Sequence, residues 1–145
     1  MDYSLAIAVF EKGLNFLRTW GFDDPSVEIE SSKLVGDSLL MIFSSKQVGR
    51  IIDVSYTTAQ KGRQSSIVAL IETDDGKRFS LNDWLSVHGK SDMIPFSANE
   101  TPNLSEEAFI KQFCEAFEQI ASHELKDILT GKTWEDVPMD WQGYR

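Results

Sequence analysis

The sequence predicts a single α+β domain: an N-terminal helix, an antiparallel meander of four to five strands and one or two C-terminal helices, with the helices packed on one face of the sheet. Three observations predict it. Apolar residues recur with a helical period at both ends of the chain, they alternate with polar residues between Ser26 and Phe79, and the links between the alternating runs are short. No internal repeat or linker interrupts residues 1–145, so we expect one domain.

The N-terminal segment has the apolar spacing of an amphipathic helix. Apolar side chains recur every three or four residues over 4–20, and Gly21 stands where a left-handed residue often ends a helix. The sequence therefore predicts one helix over 4–20. Its apolar stripe consists of Ile7, Phe10, Leu14 and Leu17.

The middle of the chain has the period-two pattern of strands. Val27 and Ile29 alternate with Glu28 and Glu30, as in a half-buried strand. Asp-Gly at positions 75 and 76 indicates a hairpin with a two-residue type I′ turn. Because parallel neighbours need long crossovers, the short links predict antiparallel pairing. The further strands are expected at 39–43, 50–56, 67–71 and around Phe79.

The last part of the chain is expected to be helical again. Residues 81–87 fit a short helix with Ser80 or Asn82 as its cap and Gly89 at its end. After a long loop over 89–103, Ser105 is placed to cap a longer helix that continues to Gly131. Each helical stripe is too apolar to face water, so we expect both to cover the sheet. The C-terminal stripe consists of Phe109, Phe113, Phe117 and Ile120.

The residues that usually carry catalysis are sparse. The chain has one cysteine, Cys114, and two histidines, His88 and His123. We interpret Cys114 as a small buried hydrophobic residue, and the histidines as surface or capping residues. Neither a calcium loop nor a phosphate-binding glycine loop is present. The sequence therefore predicts no enzymatic activity, no cofactor and no metal site.

The charge distribution favours a protein partner. The net charge of −9 argues against binding nucleic acid, because that binding draws its affinity from neutralised phosphates. Residues 98–145 hold ten acidic and four basic residues, whereas 46–78 hold four acidic and six basic ones. Carboxylates around aromatic side chains are typical of a recognition surface. We therefore predict a partner-binding surface in the tail, residues 134–145, formed by Glu135, Asp136, Asp140, Trp141 and Tyr144.

A second interpretation of the tail is structural. The tail has neither a helical nor a strand period, and it could wrap the core with Trp134 and Trp141 tucked into it. Both interpretations can hold together, since a docked tail can still present Asp136, Asp140 and Tyr144 to a partner. The sequence leaves the two roles of the tryptophans open.

These features favour a non-enzymatic protein-binding domain over other classes. We expect an inhibitor or bacterial immunity-type protein that masks a basic partner, such as the nuclease domain of a toxin, because a nuclease site must be basic to hold phosphates. A secretion-type chaperone, which would dimerise and expose apolar grooves on the sheet, is a neighbouring possibility. A small-ligand-binding protein or small enzyme, with a cavity between the sheet and the helices, is the alternative from another class. The absence of a membrane-spanning apolar run and of a basic leader predicts a cytoplasmic location.

Overall fold

The computed structural model describes residues 3–33, 36–59, 64–101 and 103–138. A five-stranded antiparallel sheet with the strands in chain order forms one layer of the molecule. Each strand therefore pairs with its neighbour in sequence, which confirms the predicted meander. The strands are β1 (Ser26–Ser32), β2 (Gly36–Ser45), β3 (Arg50–Thr57), β4 (Ser66–Thr73) and β5 (Arg78–Ser80).

The helices precede and follow the sheet, as predicted. The hydroxyl of Ser80 accepts a hydrogen bond from the backbone N–H of Asp83 at 3.0 Å, and that of Ser105 accepts one from Ala108 at 3.2 Å. Both serines are therefore the expected N-caps. The helices are α1 (Ser4–Gly13), α2 (Phe16–Thr19), α3 (Leu81–Val87), α4 (Glu106–Ile120) and α5 (Lys126–Leu129), with a 3₁₀ turn at Ala98–Glu100 and a π-helical segment at Ala121–Leu125.

The N-terminal segment is two helices rather than the single helix predicted over 4–20. The chain leaves α1 at Gly13, and the next backbone bonds tighten to the i→i−3 pattern, with the N–H of Leu17 donating to the carbonyl of Leu14 at 3.1 Å. A Cβ on Gly13 would lie 2.5 Å from the Cβ of Cys114. Glycine thus lets α1 approach α4 closely, and its low helix propensity favours a break at this position.

One face of the sheet packs against the helices and forms the core. Leu14 and Phe10 from α1 and Phe113 from α4 are buried in the same cluster as the sheet residues. The rings of Phe16 and Phe117 meet edge to face at 5.8 Å. The helices therefore cover one face, as predicted. The sheet residues in the core are Leu39, Met41, Phe43, Ile52, Val54, Tyr56, Ile67, Ala69, Ile71 and Phe79.

The hairpin between β4 and β5 has a different turn from the predicted one. The N–H of Gly76 donates to the carbonyl of Thr73 at 3.3 Å, and the N–H of Thr73 donates to the carbonyl of Lys77 at 2.8 Å. The loop therefore has three residues, 74–76, with Gly76 in the left-handed region at φ 96°. A turn followed by a left-handed glycine replaces the two-residue type I′ turn. Gly76 still explains why the hairpin closes here.

Candidate protein-binding face

The sheet face opposite the helices carries a second set of apolar side chains. The register places Leu40 beside Ser55, which in turn lies beside Val68. Two residues further along the strands on the same face, Asp53 lies between Ile42 and Leu70. The apolar residues of this face are partly exposed and lie outside the core cluster. They are Leu40, Ile42, Ile51, Val68 and Leu70. We call this surface the open face; it also includes four acidic residues, Glu28, Glu30, Asp53 and Glu72.

Four carboxylates share the open face with these apolar residues. Glu28 on β1 lies opposite Leu40, and Glu30 lies opposite Ser38. Asp53 stands between β2 and β4 residues, and Glu72 pairs with Ile51 on β3. On the far edge, Arg78 lies opposite Glu72. Strands β1, β3 and β4 thus bring their acids to one surface.

The electrostatic effect of this grouping is visible at Asp53. Burial, followed by the negative charges of Glu72, Glu30 and Glu28 in that order, raises the pKa of Asp53 from its ordinary 3.8 to about 6. A carboxylate held among apolar neighbours and like charges is more costly to ionise than one in water. The open face therefore holds a group of carboxylates that raise one another's pKa at Asp53.

The described residues of the predicted tail surface, Glu135 and Asp136, lie away from the open face and contact the protein itself. Glu135 accepts a hydrogen bond from Trp84 Nε1 at 3.2 Å, and its other oxygen lies 2.8 Å from His88 Nε2. Asp136 is exposed, and it accepts a bond from Trp134 Nε1 at 3.2 Å. The other predicted partner-binding residues, Asp140, Trp141 and Tyr144, lie outside the described residues. Their role and those of Glu135 and Asp136 stay predictions.

Trp134 matches the structural interpretation of the tail. Its ring is partly buried against the core, 5.0 Å from the ring of Phe79. The guanidinium of Arg50 lies over the Trp134 ring, 5.3 Å from the ring centre. Val137 is buried as well. Residues 134–137 therefore dock on the domain, while Trp141 remains outside what the structure describes.

Arg50 holds this docking in place, and the sequence reasoning missed it. The side chain is 9% exposed. Its Nε donates to the carbonyl of Ile128 at 2.7 Å and a terminal nitrogen donates to the carbonyl of Thr133 at 2.9 Å. A cation beside the last carbonyls of α5 also complements the helix dipole. The sequence did carry a signal for this burial: Arg50 occupies the same alternate positions as the buried residues of β3.

A polar cluster at the start of α4 has a structural role. Tyr56 donates to one oxygen of Glu106, and Ser65 donates to the other at 2.6 Å. Ser65 also accepts a hydrogen bond from the N–H of Ala59 at 2.7 Å. Burial and the neighbouring Glu106 carboxylate raise the pKa of Tyr56. Every group in this cluster has a partner, so it joins α4 to the sheet rather than offering a reactive side chain.

The cysteine and the two histidines stand at three different helical segments. Cys114 is buried as predicted, and burial together with Glu115 and Glu118 raises its pKa to about 12, so its reactive thiolate is scarce. His88 ends α3 and stacks on Trp84 at 4.1 Å. His123 is exposed on the π-helical segment. Among the residues that the structure describes, no group of His, Cys, Asp and Glu could hold a metal ion.

Two surface clefts lie away from the open face. A groove of about 390 Å³ runs between α1 and α4, and a cleft of about 440 Å³ lies between α4 and the loop over 91–101. Both are open to solvent rather than enclosed between the sheet and the helices. His88 lines neither of them.

Comparisons with known proteins give no relative from which a role could be transferred. No protein-family profile, no curated protein and no solved structure matches this chain. Within the described part of the chain, no helix combines the length and apolar character needed to cross a bilayer.

Proposed function

We propose that this protein is a non-enzymatic binding domain whose open face binds a basic protein surface. The observation that carries the proposal is the grouping of four carboxylates with partly exposed apolar side chains on a sheet face outside the core. Apolar contacts supply burial at a protein interface, and charges around them supply specificity and rapid encounter. A partner with lysines and arginines around an apolar patch would complement this face.

The class of partner follows from the sign of the charge. An acidic face repels phosphates and attracts the cationic groove in which a nuclease holds its substrate. A protein that covers such a groove blocks the substrate and associates quickly. This supports an inhibitor of the immunity type, acting on a toxin in the bacterial cytoplasm. A secretion chaperone fits less well, because acids interrupt the apolar patch that a chaperone would offer to unfolded segments.

Site-specific cross-linking tests the proposal at residue level. A photo-reactive amino acid replaces Val68 on the open face, and a second variant carries it at Ser122, which is exposed on the helical side. In cells that produce the protein naturally, we expect the Val68 variant to cross-link a basic protein and the Ser122 variant to give no such adduct. The purified chain should then inhibit the activity of that partner. An adduct from Ser122 alone would contradict the proposal.

Charge reversal separates the open face from the predicted tail surface. With the partner in hand, we expect Glu28→Lys with Glu30→Lys to slow association by about tenfold at low salt, and by less at high salt because exposed charges are screened. Reversing Asp136 and Asp140 to lysine tests the tail in the same way. Truncating Trp141 or Tyr144 to alanine should raise the dissociation rate if either ring is an anchor. An association rate unchanged by the Glu28 and Glu30 reversal would remove the steering role of the open face.

A further inference from the structure

The outer edge of strand β1 has no neighbouring strand among the residues that the structure describes. Among the residues that the structure describes, β1 pairs with β2 alone, so the edge turned away from β2 carries backbone N–H and C=O groups with no strand beside them. The strand is seven residues long. Native proteins commonly cover or shorten such an edge, because it is a template for pairing with another chain. β1 is long enough to accept an added strand.

Both faces of β1 are exposed, and they differ in chemistry. Val27 is 39% exposed and Ile29 is 49% exposed, although they lie in the same rows as Met41 and Leu39 of the buried face. The helices therefore stop short of this edge. On the opposite side of the strand, Glu28 and Glu30 point to the open face and are also exposed. One side of β1 presents two apolar side chains and the other presents two carboxylates.

We propose that a partner binds here as a sixth strand, through an extended segment in which lysine or arginine alternates with apolar residues. This inference rests on the proposed function and specifies its binding mode. Added beside β1, the segment would place its basic side chains next to Glu28 and Glu30 and its apolar side chains over Val27 and Ile29. Backbone pairing supplies affinity in such strand addition, and the alternating side chains supply specificity.

A second copy of this chain is the less suitable occupant of the edge. Pairing β1 with β1 would bring the Glu28 and Glu30 carboxylates of one copy next to those of the other, and like charges on neighbouring strands are destabilising. Glutamates on an edge strand also discourage aggregation. That role alone does not account for Val27 and Ile29, since exposed apolar side chains favour association. An acidic side and an apolar side together select a segment of the complementary pattern.

Synthetic peptides of the length of β1 test the binding mode with the whole protein. The first peptide alternates lysine and valine, the second has the same composition with all lysines at one end, and the third is the alternating peptide with its backbone amides N-methylated. Fluorescence anisotropy measures each dissociation constant, and hydrogen exchange follows the amides of 27–31. We expect the alternating peptide to bind at least about tenfold more tightly than the other two, and to slow exchange in β1.

Variants locate the binding and separate the two proposals. Glu28→Lys with Glu30→Lys should weaken binding of the alternating peptide by about tenfold, whereas the matched reversal of Glu115 and Glu118 on α4 should leave it unchanged. Equal binding of the N-methylated or the block peptide would overturn strand addition, as would failure of every peptide to bind. Cross-linking of the natural partner from Val68 is independent of these results, so the proposed function could survive the loss of this inference.

Discussion

The two faces of the sheet are formed by the same alternating strands but differ in composition and burial. The helix-covered face is apolar along β2, β3 and β4, and its residues are almost fully buried. The open face interleaves apolar side chains with Glu28, Glu30, Asp53 and Glu72. The covered face obeys the rules of a stable core, whereas the open face groups like charges at a cost to stability. Departures from those rules are expected where a surface serves function.

The largest expected effect is on the covered face. Phe113 is fully buried between the helices and the sheet, with its ring 5.8 Å from that of Phe96. Phe113→Ala should lower the free energy of unfolding by about 3–5 kcal/mol, because it removes buried surface and leaves a cavity. Urea denaturation measures the change. An unaltered midpoint would show that this face is less tightly packed than its burial indicates.

The second effect lies at the end of the covered face, where Arg50 holds the last helix and the tail. Arg50→Ala removes the donors to the carbonyls of Ile128 and Thr133. We expect a loss of about 2–3 kcal/mol in the free energy of unfolding, since two hydrogen bonds from a charged and largely buried donor are lost. Amide exchange over 132–137 should also accelerate. Arg78→Ala removes the same charge from an exposed position opposite Glu72. If it cost as much, burial of the Arg50 hydrogen bonds would not explain the effect.

Much of the fold could be predicted because local patterns determine it. Alternation located the strands, and short links required antiparallel neighbours. The serine caps Ser80 and Ser105 were found where the hydroxyl of each could reach the third residue on. The break after Gly13 could not be predicted, because it depends on the approach of Cys114 from a helix about one hundred residues away in sequence.

The open face could not be predicted from the sequence, and the reason is physical. Counting charges by segment made residues 46–78 look basic and the C-terminal third look acidic. In the structure, alternation sends Arg50 to the covered face and Asp53 and Glu72 to the other side. Register then brings Glu28 and Glu30 to the same surface. Pairing register depends on loops and cross-strand contacts, which a segment count does not represent.

The third prediction uses pH to measure how much the ionised Asp53 on the open face lowers the free energy of unfolding. Since the folded pKa of Asp53 is about 6 and its ordinary value is 3.8, the folded state holds this proton more tightly. Ionisation of Asp53 therefore lowers stability as pH rises from about 4 to about 6. Asp53→Asn should raise the free energy of unfolding at pH 7 by about 1 kcal/mol, after allowing for solvent screening, and should have no effect near pH 3.

The control for this experiment is an acid on the helical side. Glu115→Gln removes an exposed carboxylate that lies outside the open face. We expect it to leave the pH dependence of unfolding close to that of the unaltered protein. Equal stabilisation by Glu115→Gln and Asp53→Asn at pH 7 would attribute the effect to the net charge of −9 rather than to the grouping on the open face.

The last prediction separates the two faces most sharply, because it measures stability and binding together. Leu40→Ser with Val68→Ser removes apolar contact from the open face, and both side chains are already partly exposed. Because neither belongs to the core cluster, we expect the free energy of unfolding to fall by about 2 kcal/mol for the pair, which is less than the loss at Phe113. Dissociation from a basic partner should nevertheless accelerate by about tenfold or more, since apolar contacts at the centre of an interface carry much of its affinity. Denaturation and binding kinetics on the same sample measure both quantities. A stability loss as large as that of Phe113→Ala would mean that the open face is part of the folding core, and its apolar residues would then need no partner to explain them.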